Sequence, residues 1–280
     1  MRVSFNSRLT ALSAAAFLLL SAAPETGFAG AWVPAVGGGY NKLAINYFDA
    51  RDSFGGESAS NQFTNTNLSY YGEYGIADNL GIFGSIALTR LTQSTDEART
   101  DFFGVGDLDL GFRYNLINGP FVLSTSFLFK VPYLYEQNTE LPPGNGQEDF
   151  DFRLLFGKGL NRFGYFGFEI GYRLRLEEPS DEIRYLVEYG FSATDNLYFR
   201  TKFDIIQSVR NGDEIPTGIG NPALNPEFDL ARVELTTGWN FDRSEQATGG
   251  WGAEVTFTHD FWGRNTLQGN TVQLGLTYAY

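Results

Sequence analysis

The chain has 280 residues, with no Cys, one His, 42% apolar residues and a formal net charge of −13. The absence of Cys excludes disulfides, thiol nucleophiles and Cys-ligated metals, and a single His leaves little material for metal or triad chemistry. The acidic balance argues against nucleic acid as a partner, because nucleic-acid binding requires a clustered basic surface. No metal, no cofactor and no enzymatic activity are therefore predicted.

Residues 1–29 have the pattern of a secretory signal peptide. Arg2 and Arg8 are followed by an apolar stretch over 9–23, and Gly27 and Ala29 supply small residues before a predicted cleavage after Ala29. The apolar stretch is shorter than the roughly 20 residues that a membrane-spanning helix needs. Cleavage leaves residues 30–280 with a net charge of −14, because Arg2, Arg8 and Glu25 are lost.

From residue 38 onward the apolar residues alternate with polar or small ones, a period typical of strands with two different faces. In the segment 107–114, for example, the even positions are large and apolar, and the odd positions are charged or Gly. No helix and no second domain are predicted. The twelve predicted strands are 39–49, 62–76, 80–92, 103–117, 121–134, 148–159, 164–176, 182–193, 197–209, 228–241, 251–262 and 270–280.

The pattern favours a membrane barrel over a soluble sandwich. The apolar face carries large residues on every strand, and strands of this length exceed the five or six residues usual in soluble sheets. Short turns (77–79, 118–120, 161–163 and 194–196) alternate with longer loops (50–61, 93–102, 135–147 and 210–227), as in outer-membrane barrels. We therefore expect an all-β fold, a closed antiparallel up-and-down transmembrane barrel over 30–280, located in the bacterial outer membrane with both termini periplasmic.

Aromatic residues collect near both ends of the predicted strands, as expected for side chains at the two membrane interfaces. The alternative is that they are ordinary core residues. Those toward the short turns are Tyr74, Tyr114, Phe121, Phe163, Tyr189, Trp239, Trp251 and Tyr280, and those toward the long loops are Tyr47, Tyr133, Tyr185, Phe261 and Trp262.

The last strand resembles the C-terminal signal by which bacterial outer-membrane proteins are recognised for insertion. Its alternating residues are Val272, Leu274, Leu276, Tyr278 and Tyr280, and the chain stops on the aromatic. This resemblance implies the barrel-assembly machinery, lipid and lipopolysaccharide as partners. The segments 31–40 and 104–111 resemble outer-membrane transporter families, among them the one named for the meta-pathway of phenol degradation.

Twelve strands imply a backbone radius of roughly 12 Å, which leaves a narrow water path once side chains project inward. A basic residue on the lipid side costs about 2–4 kcal/mol, so the charged residues of the strands are expected to face the lumen. The predicted lumen acids are Glu73, Asp107, Asp109, Asp149, Asp151, Glu169, Glu188, Asp204, Glu234 and Glu254. The predicted lumen bases are Lys42, Arg113, Lys130, Arg153, Arg173, Arg175, Arg184, Arg200, Lys202 and Arg232.

Hairpin register predicts ion pairs between neighbouring strands. Opposite charges directly across a ladder stabilise it by about 0.2–1 kcal/mol per pair, and such pairs could serve only to stiffen the wall. The pairs predicted to lie directly opposite are Asp107–Lys130, Asp149–Arg173, Arg153–Glu169 and Glu188–Lys202.

In the hairpin around 177–180, register instead places Arg173 opposite Arg184 and Glu169 opposite Glu188, and leaves Arg175 and Arg184 without an inward-facing acidic neighbour. These bases predict a basic arc that attracts anionic solutes into the lumen. The arc consists of Lys130, Arg173, Arg175, Arg184 and Arg232.

The predicted loops are acidic, which suits plain solvation or bridging to lipopolysaccharide phosphates through divalent cations. The loop at 210–227 is long enough to fold into the mouth and plug it. Three functions remain open: a passive channel for small hydrophilic or anionic solutes, including aromatic acids; a plugged structural or adhesion barrel; and a membrane hydrolase that would use His259.

Overall fold

The computed structural model describes residues 30–54, 62–136, 139–176, 180–209, 221–241 and 249–280. The predicted signal peptide, residues 1–29, lies outside the described residues. The described chain forms twelve strands: β1 (Gly39–Ser53), β2 (Gln62–Ala77), β3 (Leu80–Ser94), β4 (Arg99–Asn118), β5 (Val122–Val131), β6 (Asp149–Gly159), β7 (Tyr165–Arg175), β8 (Asp181–Ser192), β9 (Leu197–Val209), β10 (Asp229–Asn240), β11 (Gly250–Arg264) and β12 (Leu267–Ala279).

The strands form one closed barrel. Each strand pairs antiparallel with its sequence neighbours, and β1 closes the cylinder on β12 through pairs such as Leu43 with Leu276. The closure satisfies the backbone groups of both terminal strands, which lipid could not hydrogen-bond. The prediction of a closed, twelve-stranded, up-and-down barrel is confirmed.

Two connections are shorter than the predicted strand ends imply. β3 and β4 continue to Ser94 and Arg99, where Thr95 accepts hydrogen bonds from the amides of Glu97 and Ala98. β11 and β12 leave only Asn265 and Thr266 between them, and Asn265 takes a positive φ of 53° that Asn tolerates well. These hairpins extend the wall beyond the predicted strand ends.

Two other differences arise from local backbone chemistry. The fifth strand, predicted to reach residue 134, ends at Val131 because Pro132 has no N–H to donate. The connection between β6 and β7 contains one turn of 3₁₀ helix, Asn161–Phe163, where the sequence predicted a tight turn without helix. Asn161 in this turn also has a positive φ, 54°.

The two faces of the wall differ as expected. Large apolar side chains are exposed on the outside, including Ile45, Leu235 and Leu274, whereas polar groups such as Thr236, Thr256 and Thr277 are buried on the inside. Of the aromatic residues predicted at the strand ends, Tyr185 is half-buried and the others are exposed. The chain therefore presents an apolar outer surface suited to hydrocarbon and a polar lumen.

Candidate functional site

The lumen contains two separate ion-pair networks. The first network joins β1 and β8–β11 and is formed by Lys42, Glu188, Arg200, Lys202, Glu234 and Glu254. Lys42 Nζ lies 2.5 Å from Glu254 Oε2, and Arg200 Nη2 lies 3.5 Å from the same oxygen. Three bases and three acids leave the first network formally neutral.

The second network lies on β4–β8 and is formed by Asp107, Lys130, Asp149, Asp151, Arg153, Glu169, Arg173, Arg175, Glu182 and Arg184. Its five bases and five acids are again formally balanced. Lys130 Nζ lies 2.9 Å from Asp149 Oδ2, and Arg153 Nη1 lies 3.1 Å from Glu169 Oε2. One further pair, Arg113 with Glu73, and one group of three, Arg232 with Asp204 and Asp260, stand apart from the networks.

All four predicted ion pairs are in contact, but only one has the predicted register. Glu188 lies directly opposite Lys202, with 3.3 Å between their charged atoms. The partner directly across from Lys130 is Asp109, because the turn contains residues 119–121 and an irregularity between Asn115 and Ile117 shifts the register by one residue. Asp107 reaches Lys130 diagonally, at 3.8 Å.

The 3₁₀ turn shifts the next hairpin in the same way. Residues Asp151 and Asp149 face Arg173 and Arg175, respectively, so the predicted pairs are again diagonal. Arg173 lies 3.6 Å from Asp149, and Arg153 also contacts Asp151 at 2.9 Å. The predicted direct oppositions are wrong here by two residues, which preserves the face on which each side chain lies.

The like-charge hairpin predicted between β7 and β8 is wrong. Arg173 lies opposite Glu182, and Arg184 lies opposite Gly171. The amide of Arg175 donates a hydrogen bond to the carboxylate of Asp181. Glu169 and Glu188 lie opposite Leu186 and Gly167.

Glu182, which the sequence analysis did not place in the lumen, neutralises the basic arc. Its two carboxylate oxygens lie 3.1 Å from Arg175 and 2.6 Å from Arg184. The other arc residues, Lys130, Arg173 and Arg232, also contact carboxylates. The expectation that Arg175 and Arg184 lack acidic neighbours is therefore wrong. Glu182 was the first residue of the predicted strand 182–193, and the register that pairs it with Arg173 would have identified it.

Residues 30–38, here called the N-terminal segment, enter the lumen at the end of the barrel that carries the chain termini. Ser124 donates a hydrogen bond to the carbonyl of Ala31, and Arg113 donates one to the carbonyl of Trp32 at 2.9 Å. The indole of Trp32 packs edge-on against Tyr165, with ring centroids 6.0 Å apart. The segment therefore contacts the inner wall from β4 to β7 and narrows this end.

A glycine makes room for the indole. A Cβ at Gly157 of β6 would lie 2.5 Å from two atoms of the Trp32 ring, closer than real Cβ contacts come. In the sequence, residues 31–34 show only a resemblance to transporter families. Nothing in the alternating pattern shows that this segment lies inside the barrel.

The described parts of the connection between β5 and β6, residues 132–136 and 139–148 and here called the outer loop, fold into the opposite end. Tyr135 donates a hydrogen bond to Asp107 at 2.7 Å, and Lys130 donates one to Asn145 at 2.6 Å. Burial and the neighbouring Asp107 carboxylate raise the pKa of the Tyr135 hydroxyl, which favours its role as a donor.

Leu141 anchors the outer loop on an apolar cluster. It is 1% exposed and packs with buried Phe63 and Leu91, while Phe48, Phe102 and Leu267 surround them. The predicted plug at 210–227 lies partly outside the described residues. Of its described part, Asn221 is buried and donates to the carbonyl of Pro142 at 2.7 Å, so it fastens the outer loop.

Two further sets of predicted functional residues, the insertion signal and His259, lie outside the lumen. The predicted insertion signal, Val272, Leu274, Leu276, Tyr278 and Tyr280, lies on or just after β12 with every side chain exposed on the outer surface. His259 also faces outward, and its Nδ1 lies 2.8 Å from the Asn270 amide oxygen, which is not a nucleophile. Within the described ranges, no three His, Cys, Asp or Glu residues converge to hold a metal ion.

Among the described residues, no helix has the length and apolar character needed to cross a membrane.

Comparison with known proteins finds neither a protein-family model nor a curated protein that matches the chain. Solved structures do match it. The COG4313 outer membrane channel from Pseudomonas putida F1 superposes with a TM-score of 0.72 at 13% identity, covering 91% of this chain and 100% of that one. The translocator domain of the autotransporter NalP from Neisseria meningitidis gives 0.55 at 10% identity, covering 97% and 96%. The NanC porin gives 0.50 at 8% identity, covering 84% and 98%.

Proposed function

We propose that this protein is a passive channel that carries small hydrophilic solutes across a bacterial outer membrane. The observation that carries the proposal is a lumen lined by ion pairs inside a closed barrel with an apolar outer surface. Charged groups on the inside suit contact with water, and the outside suits hydrocarbon. The fold shared with an outer-membrane channel supports the location and the class of protein.

The ion-pair networks support a channel with little preference for the sign of an ion. Both networks are formally neutral, and every base of the basic arc contacts a carboxylate. The arginines of the basic arc therefore give no reason to expect a preference for anions. Aromatic solutes remain a proposal that rests on the resemblance of residues 31–40 to the transporters named for the meta-pathway of phenol degradation.

A plugged barrel is the second candidate, and one observation favours it. The N-terminal segment narrows one end of the lumen while the outer loop, anchored by Leu141, narrows the other. In a channel, at least one of these segments has to move for a solute to pass. In a plugged structural barrel, neither segment would move.

Planar bilayers distinguish the two candidates. We expect the purified barrel to conduct, with small and similar permeabilities for cations and anions, and swelling of liposomes to show entry of sugars and amino acids. Lipase activity without conductance would instead support the hydrolase. We expect Trp32→Ala to increase the conductance, because the ring that packs on Tyr165 is removed.

The matched control is Trp251→Ala, which removes an indole that is 48% exposed on the outer surface. The control is expected to conduct like the wild type. If neither the wild type nor Trp32→Ala conducts in planar bilayers, although circular dichroism shows both barrels to be folded, the plugged barrel is favoured and the channel is overturned.

We also propose that the exposed pattern ending at Tyr280 directs insertion by the barrel-assembly machinery, and that the acidic loops face lipopolysaccharide. Tyr280 itself contributes backbone bonds to Gly39 in both directions, at 2.9 and 3.1 Å, so a substitution that keeps the backbone tests the ring alone. Tyr280→Ala is expected to lower the amount of barrel in the outer membrane.

A further inference from the structure

Residue 30, at the start of the N-terminal segment, lies against a carboxylate inside the lumen. A Cβ at Gly30 would lie 2.0 Å from Oε1 of Glu169 and 3.4 Å from Cδ2 of Leu155. A residue with a side chain could therefore occupy position 30 only if the neighbouring atoms moved. The main chain of Gly30 therefore lies beside one particular oxygen of Glu169.

The hydrogen bond from Arg153 goes to the other oxygen of the Glu169 carboxylate. Arg153 donates to Oε2 of Glu169 at 3.1 Å, whereas Oε1 is the oxygen turned toward Gly30. Arg153 also binds both oxygens of Asp151, so one guanidinium serves two carboxylates. A donor on the Gly30 side would therefore meet Oε1 rather than the oxygen that Arg153 holds.

The residues that follow hold Gly30 in this position. Ala31 is 2% exposed, packs with Val122 and Leu155, and accepts the hydrogen bond from Ser124. Trp32 is held through its carbonyl by Arg113 and through its ring by Tyr165. Because consecutive Cα atoms are about 3.8 Å apart, anchors at residues 31 and 32 confine residue 30 to the neighbourhood of Glu169.

We propose that Glu169 is the binding site for the α-ammonium group that removal of the leader creates on Gly30. A leader peptidase adds water across the Ala29–Gly30 peptide bond, which leaves a carboxylate on Ala29 and an amine on Gly30 that takes up the proton. Before cleavage the same nitrogen is an uncharged amide. Cleavage therefore supplies the cation that anchors the N-terminal segment on β7, and it couples processing to narrowing of the lumen.

The proposal rests on cleavage after Ala29 and does not depend on which solute passes. Intact mass of the barrel purified from outer membranes gives the position of cleavage, and any mature terminus other than Gly30 overturns the proposal. The reactivity of the terminal amine toward an acetylating reagent, followed by mass spectrometry, then reports on the ion pair.

An opposite charge within about 4–6 Å lowers the reactive, unprotonated fraction of an amine by about tenfold or more. We expect the amine of the wild type to react about that much more slowly than the amine of the unfolded chain, and Glu169→Gln to remove most of the protection. The matched control is Glu254→Gln, the same change in the first network, and it is expected to leave the protection intact. Equal reactivity of the wild type and Glu169→Gln overturns the proposal.

A second variant keeps every charge of the lumen. One serine inserted between Ala29 and Gly30 moves the ammonium by about 3.8 Å along the chain. We expect this insertion to remove the protection of the amine and to increase the conductance in planar bilayers. Protection as strong as in the wild type would show that burial alone, and not Glu169, shields the terminus, and would overturn the proposal.

Discussion

At the scale of single residues, the charge of the lumen is decided by carboxylates that serve more than one base. Glu182 contacts Arg175 and Arg184, and Asp149 contacts Lys130, Arg173 and Arg175. Removing one member of a buried ion pair leaves its partner uncompensated, which is costly and also changes the local field. Ion selectivity should therefore respond to the shared acids more than to any single base.

Glu182→Gln is the sharpest test at this scale. The change removes one negative charge from the second network while it keeps the size of the side chain, so we expect the reversal potential in a salt gradient to shift toward anions. The control is Glu97→Gln, which removes the same charge from an exposed residue in the turn between β3 and β4. An identical reversal potential for wild type and Glu182→Gln would contradict a role of the network in selectivity.

At the scale of elements, the outer loop is held mainly by one apolar contact and a few hydrogen bonds. Leu141 packs on Phe63 and Leu91, and Asn221 and Tyr135 add polar contacts. Burial of a leucine accounts for most of such an anchor, because truncating a buried leucine to alanine costs about 2–5 kcal/mol. The opening of the loop should therefore depend on this side chain.

We expect Leu141→Ala to open the outer loop, which would raise the bilayer conductance and make the loop more sensitive to added protease. Leu134→Ala provides the control, since Leu134 lies in the same loop and is 46% exposed. If both variants behave like the wild type, the loop does not restrict passage. If both increase conductance equally, the apolar cluster is not the anchor.

At the scale of the whole molecule, the sidedness of the wall determines where a charge can be accepted. Leu274 is 57% exposed on the outer surface, whereas the neighbouring Gln273 donates to Asn46 on the lumen side. An arginine that faces hydrocarbon costs about 2–4 kcal/mol near the midplane of the bilayer. The same arginine one position away would reach water in the lumen.

Leu274→Arg is accordingly expected to lower the free energy of unfolding in lipid vesicles by about 2–4 kcal/mol, measured by urea titration. Gln273→Arg, the neighbouring control, is expected to lower it less. A larger loss for Gln273→Arg than for Leu274→Arg would contradict the assignment of the two faces.

The alternation of side chains was sufficient to predict the number of strands and the face of nearly every charged residue. A strand places successive residues on opposite sides, so an error of two residues in a predicted turn leaves each side chain on its predicted face. For this reason the pairs Asp107–Lys130 and Arg153–Glu169 are in contact although their predicted register was wrong. The sequence by itself therefore determined the barrel, its two faces and most of the charged residues on the lumen wall.

Only the tertiary structure decided what narrows the lumen and which acids neutralise the basic arc. Hairpin register depends on turn geometry and on local irregularities, such as the one between Asn115 and Ile117, which alternation does not encode. The N-terminal segment and the outer loop have no period at all, and their positions follow from contacts with distant strands through Trp32 and Leu141. The physical reason is that sidedness is a local property of each strand, whereas occlusion of the lumen depends on residues that closure of the barrel alone brings together.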